Sequence, residues 1–265
     1  MDVEIDFEKS LEENASSYFE KSKLAKKKLS GLRKAMLDLE KKASSLKEKA
    51  PEEKLAVKRK RQWFEAFNWF KTSQGFLVIG GRDAKSNETV VKKHMEEGDL
   101  FLHAEIQGGS ACIVKAEGKA IPLESLEEAA QFAAAKSKAW QQRLSSVDVY
   151  AVAKEQVSKS APTGEALSTG GFMIYGERQW FRKTPLRFSI GLLEEQGSFV
   201  PMGGPPKAVE RHCPVRFEIL FGKLKKSDAA KAILAKFGEK AGKNNISLDD
   251  VLALLPGEAL EIREK

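Results

Sequence analysis

Apolar residues recur every seven positions through the first fifty residues of the chain. Leu11, Tyr18, Ala25, Leu32, Leu39 and Leu46 form one series. Ala15, Ser22, Leu29, Met36, Ala43 and Ala50 form a second, four places further on. A double series with this spacing is the a/d seam of a left-handed coiled coil. It predicts one long helix from about residue 8 to residue 50, weakened only at Gly31 and ended by Pro51. Forty helical residues reach about 60 Å. One helix cannot bury a seam by itself. The partner is residues 52–70 folding back, a second copy of the chain, or a helix from elsewhere.

The pattern changes at Trp63. Five aromatics stand within eight residues, Trp63, Phe64, Phe67, Trp69 and Phe70. The spacing of Trp63 and Trp69 amid the others places both in the core. Runs of strand character follow at Phe76–Gly80, Leu100–Ile106, Ala111–Lys115, Val147–Ala153, Phe172–Tyr175 and Arg187–Leu192. Helical patterns separate them at Asn87–Met95 and Leu123–Arg143, the second with an alanine face suited to close packing. Gly203-Gly-Pro-Pro reads as a turn or linker. Beyond it come a strand at Val215–Phe221, a basic helix at Ser227–Phe237 and a short helix at Ser247–Leu255, stopped by Pro256-Gly257. The fold class is α+β, a mixed-sheet domain with packed helices. The expected divisions are a coiled-coil arm over 1–60, the α+β domain over 61–200, and a strand with a small helical subdomain over 201–265.

Composition narrows this further. The chain has 265 residues, 45 Lys+Arg, 38 Asp+Glu, three His and two Cys. Two cysteines exclude a disulfide scaffold and a multi-Cys zinc module. No apolar run approaches the ~18–20 residues of a membrane span. The acidic start Met1-Asp-Val-Glu-Ile-Asp fits neither a signal nor a transit peptide. A cytoplasmic location is expected, with no membrane partner. The net charge of +7 is uneven: residues 1–20 carry −6, residues 21–60 carry +10, residues 61–220 carry +1 and residues 221–265 carry +2. A concentrated positive stripe attracts polyanions, which in the cytosol means nucleic acid first. A solvated helix face that serves only solubility is the other reading of the same lysines.

Familiar catalytic spacings are missing. There is no phosphate-binding Gly-x-x-x-x-Gly-Lys-Ser/Thr, no Gly-x-Gly-x-x-Gly and no Gly-x-Ser-x-Gly elbow. His94 and His103 are nine apart, and His212 adjoins Cys213, so no metal-ligand set is spaced for use. No metal or cofactor is expected. Three polar, glycine-containing clusters do interrupt apolar strands. They are Gly80-Gly-Arg-Asp-Ala with Asn87, then His103-Ala-Glu-Ile-Gln-Gly-Gly-Ser110, and Gln156-Val-Ser-Lys-Ser-Ala-Pro-Thr-Gly164. Exposed backbone N–H groups and short polar side chains suit phosphates and bases. The same residues also make turns, with Arg82–Asp83 a structural pair and His103 a satisfied core histidine. Three clusters in one domain favour a polar binding surface.

Longer motifs bring a resemblance into view. Trp63-Phe-Glu-Ala-Phe-Asn-Trp-Phe is followed by Gly75-Phe-Leu-Val-Ile-Gly-Gly-Arg-Asp-Ala-Lys-Ser-Asn-Glu. Next come Gly98-Asp-Leu-Phe-Leu-His-Ala-Glu-Ile-Gln-Gly-Gly-Ser and Val149-Tyr-Ala-Val-Ala-Lys-Glu-Gln-Val-Ser-Lys-Ser-Ala-Pro-Thr-Gly-Glu. Thr169-Gly-Gly-Phe-Met-Ile-Tyr-Gly completes the set. In this order they resemble the RNA-binding (NFACT-R) domain of the NFACT family, ribosome quality-control factors also known as fibronectin-binding-protein-like. Asn14-Ala-Ser-Ser-Tyr-Phe-Glu-Lys resembles the family's coiled-coil entry, so the likeness covers roughly residues 1–190. Leu254-Leu-Pro-Gly is similar to the end of archaeal members. The part resembled is the C-terminal half. The family's N-terminal glycosylase-like domain, its helix-hairpin-helix domain and the first coiled-coil arm have no counterpart in the sequence. Glu105-Ile-Gln-Gly stands where the family more often has Asp-Leu-His-Gly, so His103 is kept and a second imidazole is lost.

The resemblance implies a non-enzymatic RNA-binding module with the large ribosomal subunit, rRNA or tRNA as partners. Arg82, Asn87, His103, Gln107, Ser158, Lys159 and Thr163 would line its polar surface. Lys26, Lys27, Lys28, Arg33 and Lys34 would extend it along the arm. The alternative is a protein–protein scaffold acting through the coiled coil, by self-association or with a partner helix. A third reading is an RNA-modifying or RNA-cleaving enzyme using His103 and Asp83. The arm generates the first prediction. Limited proteolysis should release a compact fragment beginning near residue 55–62. Leu32→Ala with Leu39→Ala should weaken association measured by sedimentation and leave that fragment folded. A protease-resistant N-terminal region would contradict it.

Overall fold

A computed structural model describes residues 5–48, 61–160, 167–195, 197–241 and 246–265, with side chains placed for all but 41–48, 240 and 241. The chain divides into two compact units, Met1–Ala56 and Val57–Lys265.

The first unit is dominated by helix α1 (Leu11–Glu48). Ser10-Leu-Glu-Glu13 sets its start. The Ser10 hydroxyl accepts from the Glu13 N–H at 3.2 Å, and the Glu13 carboxylate accepts from the Ser10 N–H at 2.8 Å. Asn14 ties down the preceding turn: its Oδ1 accepts from the Asp6 N–H, and its Nδ2 donates to the carbonyls of Asp6, Lys9 and Ser10. Glu12 and Glu13 complement the positive end of the helix dipole. The helix runs through Gly31 unbroken. Pro51, expected to end it, lies outside the described residues. Every described side chain from Ile5 to Glu40 is exposed apart from half-buried Asn14. Leu29, Leu32, Met36 and Leu39 are 53–66% exposed, so no described residue covers this part of the seam.

The second unit opens with a 3₁₀ turn at Trp63–Ala66. The elements that follow are β1 (Asn68–Lys71), β2 (Leu77–Gly80), α2 (Ala84–His94), β3 (Leu100–Ala104), β4 (Cys112–Val114), α3 (Leu123–Ala135) and α4 (Lys138–Gln141). Then come β5 (Ser146–Ala153), β6 (Val157–Ser158), β7 (Met173–Ile174), β8 (Gln179–Pro185), β9 (Phe188–Glu195) and β10 (Ser198–Gly204). The chain ends with α5 (Pro206–His212), β11 (Val215–Lys225), α6 (Lys226–Ala241), α7 (Leu248–Leu254) and β12 (Ala259–Glu264). The α+β class is as expected, and every described strand pairing is antiparallel. One sheet has the order β1-β2-β4-β3-β5-β8, a second has β10-β9-β11-β12, and β6 pairs with β7.

Alternation along the strands gives the first sheet two different faces. Leu102, Ala104, Val149 and Ala151 are buried on the face covered by α3, which packs on β3, β4, β5 and β8. Ala129, Ala130, Ala133 and Ala134 on α3 are fully buried, and their small side chains let the helix approach closely. On the other face the register sets His103 opposite Tyr150 and Tyr150 opposite Trp180, an aromatic row across three strands. The single helix expected over Leu123–Arg143 is two. The Ser137 hydroxyl donates to the Ala134 carbonyl at 2.7 Å and accepts from the Ala139 N–H at 3.1 Å, which ends α3 and caps α4.

Three further expectations need correction. The division at residue 200 falls inside the β9–β10 hairpin, and β11 pairs with both β9 and β12, so residues 201–265 complete a shared sheet. Gly203-Gly204 is not a linker. A Cβ on Gly204 would lie 2.9 Å from the Phe70 ring, and one on Gly203 would lie 2.9 Å from Phe188. Trp69 is buried as expected, but Trp63 is 48% exposed, stacked on His94 at 4.5 Å between ring centroids. No helix among the described residues is long and apolar enough to cross a membrane. The close approach of β10 to β1 yields a prediction. Gly204→Ala should overpack the Phe70 contact and cost about 1–3 kcal/mol. Thermal unfolding should show a midpoint lower by roughly 2–4 °C per kcal/mol.

Candidate nucleic-acid interface

The first polar cluster sits where β2 ends and α2 begins. A Cβ on Gly81 would fall 2.1 Å from Asn87 Oδ1 and 2.5 Å from its backbone nitrogen, so only glycine fits. The Gly81 carbonyl accepts from Asn68 Nδ2 at 3.1 Å and from the Ser110 hydroxyl at 2.7 Å. Asn87 Oδ1 accepts from the Ala111 N–H at 3.0 Å, and its Nδ2 faces the Gly109 carbonyl at 3.4 Å. Asp83 caps α2, accepting from the Ser86 N–H at 2.7 Å and the Ser86 hydroxyl at 2.9 Å. These hydrogen bonds hold its carboxyl below the usual carboxylate range. The start of β1, the end of β2, the first turn of α2 and the loop leading into β4 are thereby drawn to one place.

They enclose a cleft of about 730 Å³. Arg82, Lys136, Lys138 and Lys226 line it, and Asp83 is the one acidic residue in the described lining. None of the four cations is ion-paired with an acid among the described residues. The Lys136 ammonium donates to the Leu254 carbonyl and lies 4.9 Å from the centroid of the Phe188 ring. Burial, and then repulsion from Lys226 and Arg82, pushes this amine down to about 7. Aromatic residues line another part of the cleft. Phe101 lies 6.3 Å from His103 and 5.8 Å from Phe172, and His103 lies 6.0 Å from Tyr150, centroid to centroid. Glycines 108, 109, 170 and 171 supply backbone between these groups.

The residues singled out from sequence divide into four sets. Arg82, His103 and Gln107 line the cleft. One amino group of Arg82 donates to the carbonyls of Glu65 and Phe67 at 3.0 Å each, which anchors an otherwise exposed guanidinium. The His103 ring lies against Gly109, and burial pulls its imidazole below the ordinary histidine value. Asn87 also lines the cleft, but it is buried and its carboxamide is spent inside the protein, so its place is structural. Lys159 and Ser158 lie beside the cleft, each with internal partners. The Lys159 ammonium pairs with Glu88 at 2.6 Å and lies 5.3 Å from the Phe172 centroid, and Ser158 accepts from the Ser160 N–H. Lys159, the Gly170 N–H and Lys92 hold the Glu88 carboxyl down to about 2. Thr163 lies outside the described residues. Lys26, Lys27, Lys28, Arg33 and Lys34 are all exposed on α1. At about 100° per residue, Lys27 and Lys34 face away from the seam, with Lys26 and Arg33 on one flank and Lys28 on the other.

Sequence reasoning missed Lys136, Lys138 and Lys226, each hidden in a locally basic stretch. It also missed β8, where Arg182 lies over Trp180 at 3.9 Å, while Arg178 just before the strand lies over Tyr150 at 4.6 Å. Cys112 and Cys213 are buried, and burial pushes both thiols up to about 12. Asp83 is committed to Ser86. Among the described residues no group of three or more His, Cys, Asp or Glu side chains could hold a metal ion.

Residues 66–176 match the NFACT protein RNA binding domain. The chain is 37% identical to the archaeal Rqc2 homolog aRqcH of Methanocaldococcus jannaschii over 80% of its own length and 31% of that protein. It is 38% identical to the ribosome quality control complex subunit NEMF of Homo sapiens over 68% of its own length and 17% of that protein. It therefore spans about a third or less of these relatives. A solved structure, the C-terminal part of the fibronectin/fibrinogen-binding protein of Streptococcus suis, is 23% identical over 51% of each chain, with a TM-score of 0.39.

The buried amine of Lys136 generates a prediction. The unfolded chain restores its ordinary value of 10.5. Between about 7 and 10.5 the unfolded state therefore binds more protons, and this group makes stability rise with pH. Below about 7 the amine is charged in both states, and the cost of burying that charge is present in full. The charged and titratable groups around it are Lys226, Arg82 and the Cys112 thiol. Lys136→Met should raise the unfolding midpoint at pH 6 and flatten its rise from pH 7 to 10. An unchanged slope would show that the amine keeps an ordinary value.

Proposed function

Because the chain belongs to the NFACT family of ribosome quality-control proteins, we propose that it is a non-enzymatic RNA-binding module of a ribosome-associated factor. On this reading it binds large-subunit rRNA or tRNA at stalled nascent-chain complexes and works in the cytoplasm. The observation that carries the proposal is the cleft whose four cations have no acidic partner among the described residues, lying mostly within the stretch that matches an RNA-binding domain. Arg82, His103 and Gln107 contact RNA there. Lys26, Lys27, Lys28, Arg33 and Lys34 contact phosphates along the arm. The two sets differ in kind. Exposed lysines on a helix neutralise phosphates without regard to sequence. Cations in a shaped cleft beside aromatic rings depend on unstacked bases and RNA shape.

The exposed Leu29–Leu39 seam favours a second contact, in which a partner helix or another copy of α1 covers it. This accompanies RNA binding and does not replace it.

The test is a titration with tRNA, rRNA fragments and random RNA at several salt concentrations. Replacing the five arm cations with Gln should weaken binding to every RNA about equally. It should also flatten the salt slope by about 0.7–0.9 for each phosphate that is no longer neutralised. Arg82→Ala should reduce discrimination between structured and random RNA, with a smaller change of slope. Parallel losses on all RNAs by both variants would leave only a charged arm. No loss by either would replace RNA binding with the scaffold.

A further inference from the structure

The cleft's lining is divided, and the division has the shape of one ligand. Arg82, Lys136 and Lys226 all line the cleft, and Arg82 and Lys226 each lie near enough to Lys136 to repel its ammonium. Phe101, His103, Tyr150 and Phe172 form a separate connected group of rings. The loop Gln107–Ser110 lines the cleft as well. Its Gly109 is packed against His103, and a Cβ on its Gly108 would collide with the Lys138 stem. An anion alone has no use for the rings, and an apolar ligand has none for the cations. A nucleotide unit has both a phosphate and a flat base. The volume of about 730 Å³ falls within the ~300–1,000 Å³ of small-ligand pockets. A paired base in a helix cannot enter such a space, whereas a base splayed from a loop or end can.

We propose that the cleft takes a single unstacked nucleotide of the bound RNA, with its phosphate among Arg82, Lys136 and Lys226 and its base against Phe172 and His103. This deepens the RNA-binding reading and rests on it. The sole acid in the described lining, Asp83, is held by Ser86 and stays ionised beside Arg82, so one carboxylate faces four cations there. Phe172 has the Lys159 ammonium 5.3 Å from its ring centroid, and Lys159 is itself fixed by Glu88 and the Ser168 carbonyl. Part of the surface is thereby formed before any ligand arrives, which lowers the ordering cost of binding. A phosphate would also stabilise the charged form of Lys136, whose only described hydrogen bond is to a neutral carbonyl.

The experiment uses the full chain and calorimetric or NMR titration with the four nucleoside 3′,5′-bisphosphates, which carry phosphate on both sides of one nucleoside. Matching nucleosides and inorganic phosphate serve as comparison ligands. At least one bisphosphate should bind about tenfold or more tightly than its nucleoside and than phosphate, a difference of about 1.4 kcal/mol or more. Phe172→Ala and Lys226→Gln should each weaken it about fivefold or more, while the distant exposed Lys93→Gln should leave it within about twofold. Both cleft substitutions are at half-buried positions, and an unchanged unfolding midpoint confirms that the variants are folded. Inorganic phosphate binding as tightly as every bisphosphate would reduce the cleft to an anion site and overturn the inference. So would normal bisphosphate binding by both variants. If RNA binds with the arm-dependent salt slope but no bisphosphate saturates by about 10 mM, the nucleotide cleft is wrong and the RNA-binding reading stands. If neither RNA nor any bisphosphate binds, both fall together.

Discussion

The missing side chain of Gly81 is the constraint on which the cleft depends. Asn87 occupies the space where a Cβ would stand, and from there it reaches the backbone at Gly109 and Ala111. The Gly81 carbonyl, turned inward by the same approach, receives Asn68 and Ser110. One contact thus joins the end of β2, the first turn of α2 and the loop leading into β4. A methyl group at residue 81 would have to displace backbone on α2, since the nearest obstacles include the Asn87 nitrogen and Cα. Everything placed on the cleft wall by these segments, from Arg82 to Gln107 and His103, inherits its position from that junction.

Electrostatic pairing elsewhere in the same unit shows why the cleft is unusual. Lys115 is buried with Asp99 and also meets Glu96. Lys71 pairs with Glu195, Lys159 with Glu88, and Arg182 with Asp148. Basic side chains in this fold commonly have an acidic partner at hand. Among the described residues Arg82, Lys136, Lys138 and Lys226 do not, although they converge on one space. Holding like charges together without partners destabilises the empty protein. A polyanionic ligand recovers that cost on binding, and so the arrangement makes physical sense in a phosphate-binding protein.

Much of the scaffold was legible because its signals are local. The seam of α1, the apolar runs of β2 to β5 and the alanine face of α3 each declare themselves within a dozen residues. What failed was non-local. β12 has only Leu260 fully buried, while Glu261, Arg263 and Glu264 are exposed, so its sequence has little apolar character to read. β8 is an edge strand, and its arginine, lysine and glutamine side chains break the expected alternation. Gly203-Gly204 has the composition of a linker, and only the Phe70 and Phe188 rings against it show that glycine is needed for close packing. The same limit applied at the site. Short polar residues among glycines marked Arg82, His103 and Gln107, yet nothing local separated them from Asn87, whose carboxamide is consumed by backbone groups more than twenty residues away. Lys136 and Lys226 are ordinary lysines in sequence. Only the fold brings them together, ninety positions apart, beside Arg82.

The arm and the cleft present positive charge under opposite physical conditions, and this sets what each can contribute to binding. Charges on α1 are exposed, and at physiological ionic strength they are screened over about 8 Å. On the proposed reading they would act by releasing counterions from phosphate and would discriminate little between sequences. The amine of Lys136 is screened far less, and burial and its neighbours have already lowered its affinity for a proton. It favours a ligand that brings a negative charge into the cleft and can be held there by its shape. Aromatic walls add a requirement for a flat, unstacked group that duplex RNA does not present. If the chain binds RNA as proposed, a basic arm would supply attraction at a distance, and a cationic cleft with rings would supply choice at contact. Neither property can be obtained by adding more lysines to the other: exposed charge raises affinity for every RNA alike, while further charge in the cleft would raise the repulsion that burial already magnifies.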